Sequence, residues 1–189
     1  MLHEIEERYG FRKKIMDPFL VDVDPNLLSV IALLVAFTSG YLFLDGRPVL
    51  GGLFLFLNGF LDLLDGEVAK EFGRTTDLGD FLDHTFDRLA DAAVFLGVAL
   101  GPVVPMWIGS TTVVLVVLVS YLGVQFQALT RERLYSGLMG RSDRIVVLFV
   151  FAMASYFFEE ALLYGIYIIS AFSAVTFIQR FYISVKEMK

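Results

Sequence analysis

Cysteine is absent from this chain of 189 residues, which rules out disulfides and thiolate metal sites. Histidine is almost as scarce: His3 and His84 are the only two, too few for a histidine-built zinc centre. Charge is missing over long stretches, with none between Ala92 and Thr130. The first residues carry Glu4, Glu6 and Glu7 among their basic neighbours and no long apolar run, unlike a secretory signal. What remains is 57% hydrophobic with a mean hydropathy of +0.69. Such a composition is too apolar for an ordinary soluble domain and reads as a polytopic membrane protein.

Breaks in the apolar pattern divide the chain into six predicted spans within one all-α domain, at about 26–44, 49–69, 79–100, 106–129, 145–158 and 161–180. Asp24-Pro25 supplies an N-cap and a first-turn proline for the first of them. Asp45-Gly46-Arg47-Pro48 is a tight turn by composition, and Gly101-Pro102 with Pro105 splits the long uncharged run. Ahead of the spans, residues 1–17 place Leu2, Ile5, Tyr9 and Met16 roughly on one helical face, as expected for an amphipathic helix lying on the membrane surface.

With both termini on one side, that side collects every lysine and arginine except Arg47. The positive-inside rule then puts the termini in the cytoplasm, along with the polar ends of the second and third spans.

Those polar ends hold the chemistry. Asp62 and Asp65 are three apart and Asp83 and Asp87 four apart, so each pair projects from one helical face. Carboxylates in a lipid-facing segment cost several kcal/mol or more, and divalent cations such as Mg²⁺ or Ca²⁺ are the natural partners of hard oxygen ligands. Small residues at Gly66, Ala69 and Gly79 are expected to let the two helices approach closely. Four carboxylates can share one or two ions, and a two-ion cluster suits phosphoryl transfer. Intramembrane acids also mark ion paths, so a divalent-cation transporter is the alternative, although the later spans have few polar residues to extend a route.

The order Asp62-x-x-Asp65-Gly66-x-x-Ala69-Lys70, eight residues, then Gly79-x-x-x-Asp83-x-x-x-Asp87 resembles the signature of the CDP-alcohol phosphotransferases, with Lys70 standing where the family usually has arginine. The resemblance implies that Asp62, Asp65, Asp83 and Asp87 ligate two metal ions, Mg²⁺ or Mn²⁺, and that Asp87 also takes the proton of the acceptor hydroxyl. It implies that Asn26, Gly66, Lys70 and Thr76 line the site of the CDP-linked lipid. The chain is most similar to archaeal members acting on CDP-archaeol, with CDP-diacylglycerol the other candidate donor. Arg131, Arg133, Arg141 and Arg144 lie in a polar connection on the same side, a pocket suited to a phosphorylated acceptor such as glycerol phosphate or myo-inositol phosphate. Ser120-Tyr121 matches inositol-phosphate enzymes of the family, but Gly123 and Gln125 stand where those carry a lysine and an arginine. Asp77 and Asp80 are expected to be cap or interfacial residues, Asp91 to pair with Arg88, and His84 to pack at the interface. A phenylalanine-rich apolar seam on the later spans, like the family resemblance, is consistent with a homodimer.

Overall fold

The computed structural model describes residues 17–131, 134 and 137–188. The predicted surface helix over 1–17 lies outside them, except for Asp17. After a 3-10 turn at Asp17–Phe19 come six helices: α1 Pro25–Leu44, α2 Pro48–Glu71, α3 Asp77–Leu100, α4 Met106–Thr130, α5 Arg141–Ala154 and α6 Ala161–Glu187. No strand occurs among the described residues.

Local chemistry explains the helix ends. Asp24 caps α1, its carboxylate accepting the Asn26 amide at 2.9 Å with Pro25 in the first turn. At the end of α2, Gly73 takes φ +64° and the Arg74 amide returns to the Ala69 carbonyl at 2.8 Å. That left-handed stop is one an L side chain rarely adopts, and it reverses the chain within a few residues. Thr76 caps α3 by accepting from the Gly79 amide at 3.0 Å. Asp77 and Asp80 occupy its first turn, where negative charge is favoured. The fifth helix begins at Arg141, ahead of the expected start near Ile145, because Asp143 accepts the Gly140 amide at 2.9 Å and closes the N-terminus one turn earlier.

Length and hydropathy qualify four helices as membrane-crossing: α1, α2, α4 and α6. The other two fall short for different reasons. α3 is 24 residues long, but its first half carries most of the acids. α5 has 14 residues, which gives about 21 Å of rise against the ~30 Å of a hydrocarbon core. Large apolar side chains such as Leu34, Phe56 and Ile178 face outward, as lipid-facing residues do in a multi-pass membrane protein.

Neighbouring helices pack in the order α2–α1–α3–α4–α6–α5 and back to α2, closing a ring. α1 therefore sits between α2 and α3, the two acid-bearing helices. Buried polar groups tie α1 to α2: Ser39 donates to the Gly51 carbonyl at 2.7 Å and Asn58 to the Ala32 carbonyl at 2.9 Å. The tightest backbone approach is Gly40 of α1 against Gly97 of α3; a Cβ on Gly97 would lie 2.8 Å from the Gly40 Cα. Gly52 against Ala152 and Gly109 against Ala99 are similar crossings. The expectation for Gly66, Ala69 and Gly79 is thus corrected. α2 and α3 are held together through α1, and a Cβ on Gly79 would face Thr76 and Asn26.

Gly97→Ala should therefore force α1 and α3 apart at a cost of about 1–3 kcal/mol, lowering the thermal midpoint in detergent by several degrees. Gly59→Ala, whose new methyl would meet only Ile145 at an ordinary 3.8 Å, should leave the midpoint unchanged. Equal midpoints for the two variants would contradict this packing.

Candidate functional site

At the end of the bundle where α2 and α3 carry their acids, the N-terminal half of α1 forms a floor. Ser29, Ala32 and Leu33 of α1, Asn58, Asp62 and Asp65 of α2, and Asp83, Phe86 and Ala90 of α3 line one cleft. Asp65 is 6% exposed and accepts a hydrogen bond from Ser29 Oγ at 2.5 Å. Asp62 and Asp87, from different helices, are bridged by one guanidinium: Arg141 Nη1 lies 2.9 Å from Asp62 Oδ2 and 2.6 Å from Asp87 Oδ1. The second contact is a close ion pair without hydrogen-bond alignment, so Asp87 Oδ1 is buried with no hydrogen-bond donor among the described residues. Asp83 stands nearer the mouth, its Oδ2 at 3.8 Å from His84 Nδ1. His84, expected to pack at the interface, has a ligand atom within 4.8 Å of both Asp83 and Asp87.

Beside this cleft lies an arginine network centred on Asp91. Its 6% exposed carboxylate faces Arg141 Nε at 3.3 Å, Arg144 Nη2 at 3.3 Å and Arg88 Nη1 at 3.8 Å. The expected Arg88–Asp91 pair is present as the longest of the three. Arg144, 1% exposed, also donates to Ser120 Oγ at 3.2 Å. Its Nε and Nη1, and Nε of Arg88, are buried without hydrogen-bond partners among the described residues. Of the four predicted acceptor arginines, Arg141 and Arg144 meet here and Arg131 is exposed at the C-cap of α4. Arg133 lies outside the described residues.

Sequence reasoning missed Arg180. From α6 it donates to the Val119 carbonyl at 2.9 Å, and a Cβ on Gly123 would sit 3.0 Å from its Nη1. A cation thus reaches the region where α4 lacks the expected basic residues. The available signal was its isolation, as Arg180 is the only charge from Ala161 to Val185, and a lone ionisable residue in an apolar helix points to function. The bond from Ser29 to Asp65 and the hub role of Asp91 were also missed, since neither Ser29 nor Asp91 belongs to the aspartate signature.

The predicted CDP-lipid residues divide. Asn26 and Thr76 both lie beside Gly79 at the start of α3, where a Cβ on that glycine would be 3.3 Å from Thr76 Oγ1 and 3.9 Å from Asn26 Oδ1. Gly66 follows Asp65 in α2. Lys70 is exposed and paired with Glu67 at 3.1 Å. Arg74 pairs with Asp22 at 2.6 Å.

Hard carboxylate oxygens from two helices around one cleft, with the buried Asp87 oxygen linked to them through Arg141, fit a divalent cation in donor chemistry. Cations on the adjoining wall fit a phosphate. Together they can handle a phosphorylated, metal-binding substrate at the edge of an apolar bundle.

Comparison with known proteins agrees. A family model for CDP-alcohol phosphatidyltransferase matches residues 23–180. The chain is 34% identical over 167 residues to the archaetidylinositol phosphate synthase of Pyrococcus horikoshii, covering 88% of this chain and 86% of that one. It is 31% identical to the phosphatidylinositol phosphate synthase of Mycobacteroides abscessus, covering 86% and 74%. The fold matches the Mycobacterium tuberculosis phosphatidylinositol phosphate synthase solved with CDP-DAG bound, at a TM-score of 0.79 and 24% identity over 92% of each chain. On the signature, the fold and the family match together, the chain belongs to the CDP-alcohol phosphatidyltransferase family and is a membrane transferase.

Proposed function

We propose that this protein transfers the lipid phosphate of a CDP-linked lipid, CDP-archaeol or CDP-diacylglycerol, to a phosphorylated polyol with release of CMP. The observation that carries this reading is the convergence of Asp62, Asp65 and Asp83 on one cleft, with Asp87 tied to Asp62 by Arg141 and the Asp91–Arg144 network alongside. Myo-inositol phosphate is the favoured acceptor. Relatives at 34% and 28% identity are archaetidylinositol phosphate synthases, and the buried nitrogens of Arg144 and Arg88 without partners suit a phosphate. Glycerol phosphate is the nearest competitor.

In the membrane, α3 and α5 join the four long apolar helices as further spans, with their polar ends at the water boundary. Both termini and the cleft face the cytoplasm, since every basic residue but Arg47 falls at that end.

Asp62, Asp65, Asp83 and Asp87 would hold Mg²⁺ or Mn²⁺. Bound there, such ions would offset the negative charge of the diphosphate and of departing CMP. Asn26, Gly66 and Thr76 border the mouth for the nucleotide, with Lys70 close by in α2. The acceptor phosphate rests against Arg144 and Arg180, which directs a hydroxyl toward Asp87. The hydroxyl oxygen attacks the lipid-side phosphorus, and a new phosphorus–oxygen bond forms as the bond to the bridging oxygen breaks. CMP leaves with that electron pair, and Asp87 takes the hydroxyl proton. Ser29 holds Asp65 in one orientation throughout, as outer hydrogen bonds do for ligating carboxylates.

Asp87→Asn should lower CMP release by about 10²–10⁴-fold while the purified protein keeps its thermal midpoint; full turnover in this variant excludes Asp87 as the base. Chelation of divalent ions should stop CMP release, and added Mg²⁺ or Mn²⁺ should restore it. Offered CDP-archaeol with myo-inositol phosphate, glycerol 1-phosphate, glycerol 3-phosphate, inositol or serine, the enzyme should give a lipid product with a phosphorylated acceptor by mass spectrometry. A product formed only from an unphosphorylated alcohol would contradict the arginine wall.

A further inference from the structure

We propose that Arg74 is a positioning residue that latches the segment before α1 to the α2–α3 turn and so sets the spacing of the nucleotide-facing mouth. This rests on the reading of that mouth as the site of the CDP group.

Arg74 makes two contacts with this segment. Its Nη2 lies 2.6 Å from Asp22 Oδ1, and its Nη1 donates to the Val23 carbonyl at 2.9 Å. These contacts join residues 51 and 52 apart in sequence. On one side of the latch, Val23 leads through Asp24 and Pro25 to Asn26. On the other, Arg74 leads through Thr75 to Thr76. Asn26 and Thr76 are the two side chains that close over Gly79.

The rest of the segment is seated by apolar contacts. The Phe19 ring meets Phe60 edge-on at 5.1 Å, while Leu20 and Val23 pack against the buried pair Leu64 and Val68. These contacts hold the segment against α2, but none of them reaches the turn that carries Thr76. Arg74 supplies that link. The left-handed Gly73 turns the chain back so that Arg74 follows at the point of reversal, and the return bond to Ala69 fixes its backbone.

The neighbouring cation of α2, Lys70, pairs with Glu67. The Arg74 and Asp22 side chains are 43% and 60% exposed, and exposed ion pairs contribute little to global stability. Loss of the latch should therefore appear in nucleotide binding and local geometry, with little change in the thermal midpoint.

The test uses the full chain in detergent or nanodiscs. Arg74→Ala should raise the Kd for CDP and the KM for the CDP-linked lipid by about tenfold, leaving kcat, the acceptor KM and the thermal midpoint near wild type. The charge exchange Asp22→Arg with Arg74→Asp should recover much of the loss. Because the chain has no native cysteine, spin labels at Val21→Cys and Thr75→Cys can report the gap directly. Their distance distribution should be narrow with Arg74 and broad in Arg74→Ala. Unchanged CDP affinity and an unchanged distribution in Arg74→Ala would overturn the latch. So would a fall in kcat and midpoint together, which marks a purely structural role. A wild-type protein that binds no CDP while its label distribution still broadens on loss of Arg74 would instead overturn the nucleotide reading of the mouth.

Discussion

Negative charge placed at the edge of an apolar bundle needs positive charge within a few ångströms, and most of the site's architecture meets that need. Asp62, Asp87 and Asp91 come from two helices, and one guanidinium, Arg141, touches all three. Arg141 can do so because α5 starts early, with Gly140 capped by Asp143, which brings the first turn of α5 up to the carboxylates. Were α5 to begin near Ile145, Arg141 would belong to a connection and the acids would lack that shared counter-charge. Buried charge of this kind is tolerated only when paired, and here the pairing also places cations beside the carboxylates of the cleft.

The same arrangement separates two tasks. Asp62, Asp65 and Asp83 line the cleft, and Asp87 is tied to Asp62 through Arg141. Asp91 lies one turn deeper on α3 and faces arginines, keeping Arg144 and Arg88 in place without entering the cleft. The acidic helix therefore runs from a carboxylate on the cleft to a carboxylate–arginine network inside the bundle. Gly123 and Arg180 illustrate how a cation can be supplied from elsewhere. α4 lacks the basic side chain at that position, and the missing Cβ leaves room for one arriving from α6.

Much of the fold was legible because its causes are local. Apolar runs, proline breaks and the Asp24-Pro25 cap act within a few residues, and the observed helices follow them closely. The exceptions were α5, whose start was moved by the Asp143 cap, and the two helices too short or too acidic to qualify as spans on their own. In the site, the pairing of Asp62 with Asp65 and of Asp83 with Asp87 could be read from helical periodicity. The partners of these acids could not. Arg141 meets Asp62 across 79 residues, Arg144 meets Asp91 across 53, and Ser29 meets Asp65 across 36.

By itself, then, the sequence determined a lipid-embedded helical chain, two carboxylate pairs at helical spacing, a family signature, and cations gathered at one end. Those properties depend on side-chain chemistry and on the period of the helix. Tertiary structure alone decided that α1 would stand between the two acidic helices, through the Gly40–Gly97 crossing, and which arginine would meet which carboxylate. It also decided that Arg74 would turn to Asp22 and leave Glu67 to Lys70. Those outcomes depend on the order of helices around the ring and on the rotation of each about its axis, which are fixed only when distant segments pack.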